Sequence, residues 1–346
     1  MKNLIIVLNI SIAVCFNLNA QYGSKKYLRE NSKSSKIYTY GDSSIYARGI
    51  IIDDNNRLFI GSSDGSLRMF DIANQKSRLL FKNSDFEEMR DVEKVNDYFI
   101  GIQSGNSGKM LRMDAKGTMK IIKMQEWDSL FIDAIDFNNN IGFMMGDPIN
   151  GVFSLYVTNN DGLEWSKCNG VVQSFKGEAG FAASGTNVKV FNDTTFAFIT
   201  GGLKSRFIKT TDSGNSWSSV ELPFFPGESN GAYSMCFSND SCGIIVGGDY
   251  LNPAIMLNTT FYTTDYGASW YNATTPPRGY RSNVFFKNGV YYACGSNGID
   301  FTINNGKDWT QFSSGNYFAM TASENKLYAT TLYGQIVEFN LIESNE

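Results

Sequence analysis

From Arg48 onward the chain is written in short apolar runs separated by polar turns, and no long stretch keeps a helical period. The segment "RGIIIDDNNRLFIGSSDGSLRMFD" (48–71) reads as strand, Asp-Asn turn, strand, Asp-Gly turn, strand. "RDVEKVNDYFIGIQSGNSGKMLRMDAKG" (90–117) repeats that order, and "IDAIDFNNNIGFMMGDPINGVFSLYVTNNDG" (132–162) repeats it again. Farther on, "YSMCF" (233–237), "GIIVGG" (243–248) and "TTFYTT" (259–264) carry the same alternation, and a short run after the third strand supplies a fourth. The pattern predicts seven units of four antiparallel strands, the fourth beginning near Phe181 and the sixth near Tyr280. The last unit, "YFAMTASENKLYATTLYGQIVEFN" (317–340), has only three strands, and "KIYTY" (36–40) is the expected donor of the missing one.

Seven such units in one chain predict an all-β fold, a seven-bladed β-propeller spanning residues 36–346 in which an N-terminal strand closes the last blade. A six-bladed ring is the second choice. A pair of β-sandwiches is the third, and it leaves the regular spacing of one motif unexplained. That motif occurs as "TNNDGLEW" (158–165), "TTDSGNSW" (210–217), "TTDYGASW" (263–270) and "TINNGKDW" (302–309), and it holds four of the chain's five tryptophans. Its residue types suit a hairpin tip: Asp212 and Asp265 can accept backbone N–H groups, while Gly214 and Gly267 take a positive φ. Trp217 and Trp270 can pack beneath the turn. Asn160 and Asn304 replace the aspartate in two copies, which fits turn capping and not acid–base work.

These stretches resemble the Asp-box, or BNR, repeat of sialidases and related propellers. Across residues 132–309 the ordered set "GDPINGVFSLYVTNNDG", "GEAGFAASG", "ITGG", "IIVGGDY", "GYRSNV" and "GSNGIDFT" is similar to bacterial BNR-repeat proteins of the photosystem II assembly and stability factor type. The resemblance implies a seven-bladed propeller more firmly than any activity. That family's members bind partner chains through basic surface, whereas this chain is mildly acidic.

Charge and composition narrow the function classes. Lys2, the apolar run from Leu4 to Phe16 and Ala20 predict a cleavable signal peptide over residues 1–20, followed by a Ser- and Lys-rich leader over 21–35. Export to the periplasm or the medium is the expectation, with no membrane span. Loss of Lys2 moves the net charge from −4 to −5, and no basic run is present, so nucleic acid is not an expected partner. Cys236 and Cys242 flank the turn "FSNDS" and are read either as a disulfide or as two free thiols. With no histidine, no C-x-x-C spacing and no phosphate-cradling glycine loop, no metal or redox cofactor is expected.

In a propeller the first strand of each blade lines the axis. Arg48, Arg90 and Arg281 open the first strands of units one, two and six, lying 13, 11 and 14 residues before Gly61, Gly101 and Gly295. Asp133 and Ser234 hold the matching places in units three and five, each 13 residues before Gly146 or Gly247. Arginine offers forked donors for a carboxylate or phosphate, so Arg48, Arg90, Arg281 and Asp133 are the expected ligand-binding set. The alternative is that each arginine ties blades together on a local carboxylate. The expected role is a monomeric binding or assembly module for a protein partner, an acidic small molecule or a glycan. The second reading is a glycan-active hydrolase or lyase. Here "YARGI" resembles the arginine motif of sialidases without its proline, and Tyr250, Tyr280, Glu178, Asp147 and Asp249 supply catalytic candidates.

Overall fold

The computed structural model describes residues 34–342 apart from 106 and 240. The expected signal peptide and all but the end of the expected leader lie outside the described residues. The strands form seven antiparallel sheets, one per blade; six are built on four short strands that follow one another along the chain, the sheet of blade 5 carrying two further short strands, and the seventh joins the last three strands to the first. Blades 1 to 3 begin with Ala47–Ile52, Met89–Val95 and Ile132–Asn138. Blades 4 to 6 begin with Val188–Val190, Asn230–Phe237 and Asn283–Lys287. Blade 7 consists of Met320–Ala322, Lys326–Thr330 and Gln335–Asn340, completed by Ser34–Thr39, which pairs antiparallel with Gln335–Asn340. Tyr38 Oη donates to Glu338 Oε2 at 2.6 Å across this closing pair. First strands of successive blades lie side by side, and the ring shuts where Met320–Ala322 meets Ala47–Ile52. Among the described residues no helix is long and apolar enough to cross a membrane.

The core is divided into wedges between neighbouring blades, because each sheet has two apolar faces and buries one on either side. Between blades 3 and 4, for example, Phe143 and Phe153 pack with Phe196, Phe198 and Ile208. Cys168, Cys236, Cys242 and Cys294 are free thiols, so the disulfide alternative does not hold. Burial pushes the Cys236 thiol up to about 11.

The repeated Thr-x-Asp motif forms the turn between third and fourth strands, at the outer rim. In all four copies the side-chain oxygen of the Asp or Asn accepts the backbone N–H four residues on: Glu164, Ser216, Ser269 and Asp308, at 2.8–3.0 Å. Asparagine serves as well as aspartate, since only an acceptor is needed. The motif glycine also abuts the preceding blade. A Cβ on Gly162 would lie 2.5 Å from Ile100, on Gly214 2.7 Å from Cys168 Sγ, on Gly267 2.5 Å from Phe207, and on Gly306 2.8 Å from Ile244. The motif is a joint between blades, and the glycine is required both by its positive φ and by that close approach.

Gly151 provides a matched control, with φ +80° against +81° for Gly267 but nothing within 4 Å of an added Cβ. Gly151→Ala is expected to cost only the backbone strain of about 1–2 kcal/mol. Gly267→Ala should cost about 1–3 kcal/mol more, because Phe207 is buried and cannot yield. Urea unfolding of both variants measures the difference, and equal losses would show that the blade contact is unimportant.

Candidate functional site

Four of the first strands carry a β-bulge at equivalent places. The register slips between Ala47 and Gly49, between Met89 and Asp91, between Ile132 and Ala134, and between Ala232 and Ser234. The extra, unpaired residues are therefore Arg48, Arg90, Asp133 and Tyr233. A bulge bends its strand and re-aims one side chain, and all four of these side chains line one cavity of about 560 Å³ on the ring axis. Its remaining wall comes from segments that enter first strands, including Phe131, residues 180–183 and Tyr280, and from the ends of second strands or the turns after them, including Asp147, Tyr250 and Ser296. The cavity is thus one mouth of the propeller, and every blade reaches it.

The two sides of the cavity differ in chemistry. On one side Arg48 Nη1 donates to Ala183 O at 3.2 Å, and Arg90 Nη1 donates to Ala182 O at 2.8 Å. Glu88 sits with both guanidiniums, accepting from Arg90 Nη2 at 2.6 Å and lying 3.7 Å from Arg48 Nε. The Arg48 guanidinium also faces the rings of Tyr46 and Phe318, and Arg90 faces Phe131. Both Nε atoms are buried without a hydrogen-bond partner in the chain, while part of each arginine side chain stays open to the cavity. Across the cavity, four rings run from blade to blade. Phe181 and Tyr233 are 4.5 Å apart at their centroids, Tyr233 and Tyr280 meet edge-on at 4.9 Å, and Tyr250 and Tyr280 are 6.4 Å apart.

Asp133 lies at the cavity wall with 1% of its surface exposed, and neither carboxyl oxygen has a hydrogen-bond partner. Burial raises its pKa well above the usual carboxylate range, the nearby Asp147 raises it further, and Arg90 only partly opposes this. Asp147 Oδ1 accepts the Gly180 N–H at 3.0 Å, and burial raises that carboxyl too.

Three expected site residues lie elsewhere. Arg281 is fully buried within blade 6, where its guanidinium donates to Asp300, Asn297 and the Tyr280 carbonyl. Its chain neighbours Tyr280 and Ser282 line the cavity instead, as the two-residue period of an extended chain requires. Glu178 is fixed by Arg206 Nε at 2.7 Å, Arg206 Nη2 at 2.9 Å and Thr200 Oγ1 at 2.6 Å. There it anchors the short strand Glu178–Ala179. Asp249 caps the turn that follows it, accepting Leu251 N–H at 2.9 Å and Ser229 Oγ at 2.6 Å. Tyr250 is half exposed at the rim. The sequence reading missed Glu88, Phe131, Phe181 and Tyr233. Tyr233 was one residue from the expected Ser234.

No protein-family model matches the chain, and no curated protein matches it in sequence. Solved structures match its fold. A catalytically inactive virginiamycin B lyase from Staphylococcus aureus, solved with quinupristin, gives a TM-score of 0.67 at 14% identity, over 89% of this chain and 99% of that one. The WD40 domain of Neurospora crassa Pan2 gives 0.64 at 12% identity, over 91% and 97%. The WD40 propeller domain of Doa1 gives 0.63 at 9% identity, over 90% and 97%. At these identities the likeness establishes the propeller fold and nothing of its chemistry. The inactivating change in that lyase replaces a histidine with alanine, and this chain has no histidine.

Arg281→Ala would leave Asp300 buried with one of its two arginine partners gone, Arg278 remaining at 2.8 Å. The expected loss is about 3–5 kcal/mol of stability, read by chemical denaturation. An unchanged midpoint would return Arg281 to the list of ligand-binding candidates.

Proposed function

We propose that this propeller is a binding module that captures a small carboxylated ring, with acidic sugars as the leading class, at its axial mouth. The observation that carries the reading is the set of four bulges that turn Arg48, Arg90, Asp133 and Tyr233 into one cavity. A carboxylate at the arginine side meets forked, charge-assisted donors. The flat face of a ring lies against Phe181, Tyr233 and Tyr280, as aromatic surfaces favour. The volume of about 560 Å³ falls within the range of small-molecule sites. Such depth favours a small acid over a flat protein face, although a partner chain presenting an acidic side chain could use the same donors. Residues 1–20 support the further reading that the mature chain works in the periplasm or outside the cell. The quoted Asp-box stretches support kinship with the BNR-repeat propellers.

The second reading, a hydrolase or lyase acting on an acidic glycan, is favoured by one observation: Asp133 and Asp147 share the cavity. Against a sialidase-type arrangement stands Glu178, which is held by Arg206 away from the tyrosines that line the cavity.

Isothermal calorimetry and thermal shift with galacturonate, glucuronate and N-acetylneuraminate, with galactose as the neutral control, test the binding reading. The parent should bind at least one acid and ignore galactose. Arg48→Ala and Arg90→Ala should each weaken binding roughly tenfold or more, the scale of one lost charge-assisted hydrogen bond. Equal response to galactose, or no response to any of the acids, would overturn the reading. Release of a cleaved product from an oligogalacturonate would shift the conclusion to the second reading.

A further inference from the structure

An anion-binding cavity with an unpaired aspartate in its wall contains an apparent contradiction. If ionised, Asp133 would repel the acid that Arg48 and Arg90 attract. It would also sit buried as a charge with no donor to stabilise it, a costly arrangement. The resolution lies in which groups surround it. Asp133 stands on the bulge of the first strand of blade 3, and its carboxyl lies against Gly180, where an added Cβ would come within 2.5 Å of the carboxyl carbon. The segment from Gly180 to Ala183 brings no charged side chain to that contact.

Two charged groups face Asp133. Asp147, near the end of the second strand of blade 3 (Ile141–Ile149), is a second acid and already holds the Gly180 N–H. Arg90, from the first strand of blade 2, is engaged by Glu88 and the Ala182 carbonyl. The local balance is therefore two carboxyls against one cation that a third carboxylate already neutralises. Like charges that share a water-poor site cannot all ionise.

We propose that Asp133 is the specificity-determining hydrogen-bond donor of the axial cavity, a neutral carboxylic acid that gives its O–H to an acceptor oxygen of the captured acid. The proposal rests on the ligand reading above and adds to it. The arginines select a carboxylate, while Asp133 selects a second oxygen on the same ring or the second oxygen of that carboxylate. Its other oxygen remains an acceptor for a hydroxyl, so a hydroxy acid of the sugar type uses both. The sign of the pH dependence follows. Bound acid favours the protonated form of Asp133, so affinity is full below the titration of this group and falls as pH rises through it, with protons taken up on binding over that interval.

Two measurements on the full chain separate the parts. Carbon-13 NMR of aspartate-labelled protein reads the carboxyl directly, and a protonated carboxyl resonance should persist at neutral pH and vanish in Asp133→Asn. Calorimetry with galacturonate in buffers of different ionisation heat counts the protons. At pH values where free Asp133 titrates, uptake should be present in the parent and absent in Asp133→Asn, which keeps a donor and should bind within about threefold of the parent. Asp133→Ala should weaken binding roughly tenfold, the scale of one hydrogen bond to a charged group.

An ionised Asp133 at neutral pH overturns the proposal however well galacturonate binds. So does undiminished binding by Asp133→Ala. A protonated carboxyl in a parent that binds none of the acids overturns the ligand reading, and with it the donor role, while leaving the neutral state of Asp133 as measured.

Discussion

A four-stranded blade cannot stand alone, because both of its faces are apolar and each must be covered by a neighbour. The whole structure depends on how closely adjacent blades meet. At the rim that approach is set by Gly162, Gly214, Gly267 and Gly306, each seated against a residue of the blade before it. Any side chain there would wedge the rim apart, and the aromatic layers inside, such as Phe143 on Phe196 at 5.6 Å, would lose contact. The capped turn carries the glycine to that place, and the threonine, aspartate and tryptophan around it hold the turn in shape. At the seam, Ser34–Thr39 completes the same contact by pairing with Gln335–Asn340, so the sheet edges of the ring are joined by chain ends far apart in sequence.

At the hub the problem is reversed. Seven first strands converge, and their side chains must either fill the axis or line an opening. The four bulges decide for an opening. Each one removes a residue from the ladder and turns it toward the axis, so strands that would otherwise present an alternating surface instead deliver Arg48, Arg90, Asp133 and Tyr233 to one place. The segment between blades 3 and 4 then crosses beside them. Its carbonyls at Ala182 and Ala183 take one donor from each arginine, which fixes the guanidiniums without satisfying them.

Much of this was legible in the sequence. The blade count, the closing strand and the turn role of Asp212 and Asp265 followed from periodicity and turn chemistry, which are local. Arg48, Arg90 and Asp133 do stand near the openings of their first strands, where the structure places a bulge in each. Arg281 and Ser234 do not line the cavity, and the reason is one of parity. Successive residues of a strand point to opposite sides, so an error of one residue reverses the answer. Counting back from a glycine across a hairpin of variable length cannot fix that residue. Glu178 was misread for a different reason. Its partner Arg206 is 28 residues away and on another strand, and nothing local in "GEAG" announces an ion pair.

The fates of the three arginines show what separates a fastener from a site. Arg281 is fully buried, and Asp300, Asn297 and a carbonyl take its donors, so its charge is spent inside blade 6. Arg48 and Arg90 each keep about a quarter of the side chain exposed and share the single carboxylate of Glu88. What separates them is access: Arg281 has no exposed side-chain surface, whereas Arg48 and Arg90 stand open at the wall of the axial cavity. An arginine sealed inside a blade cannot meet a ligand, whereas one held at a cavity wall by a carbonyl and a shared carboxylate can direct its exposed guanidinium edge at one. The same logic reaches Asp133, whose carboxyl is held by packing against Gly180 and not by hydrogen bonds. Its polarity is preserved for whatever enters, and the fold supplies the position while leaving the chemistry unspent.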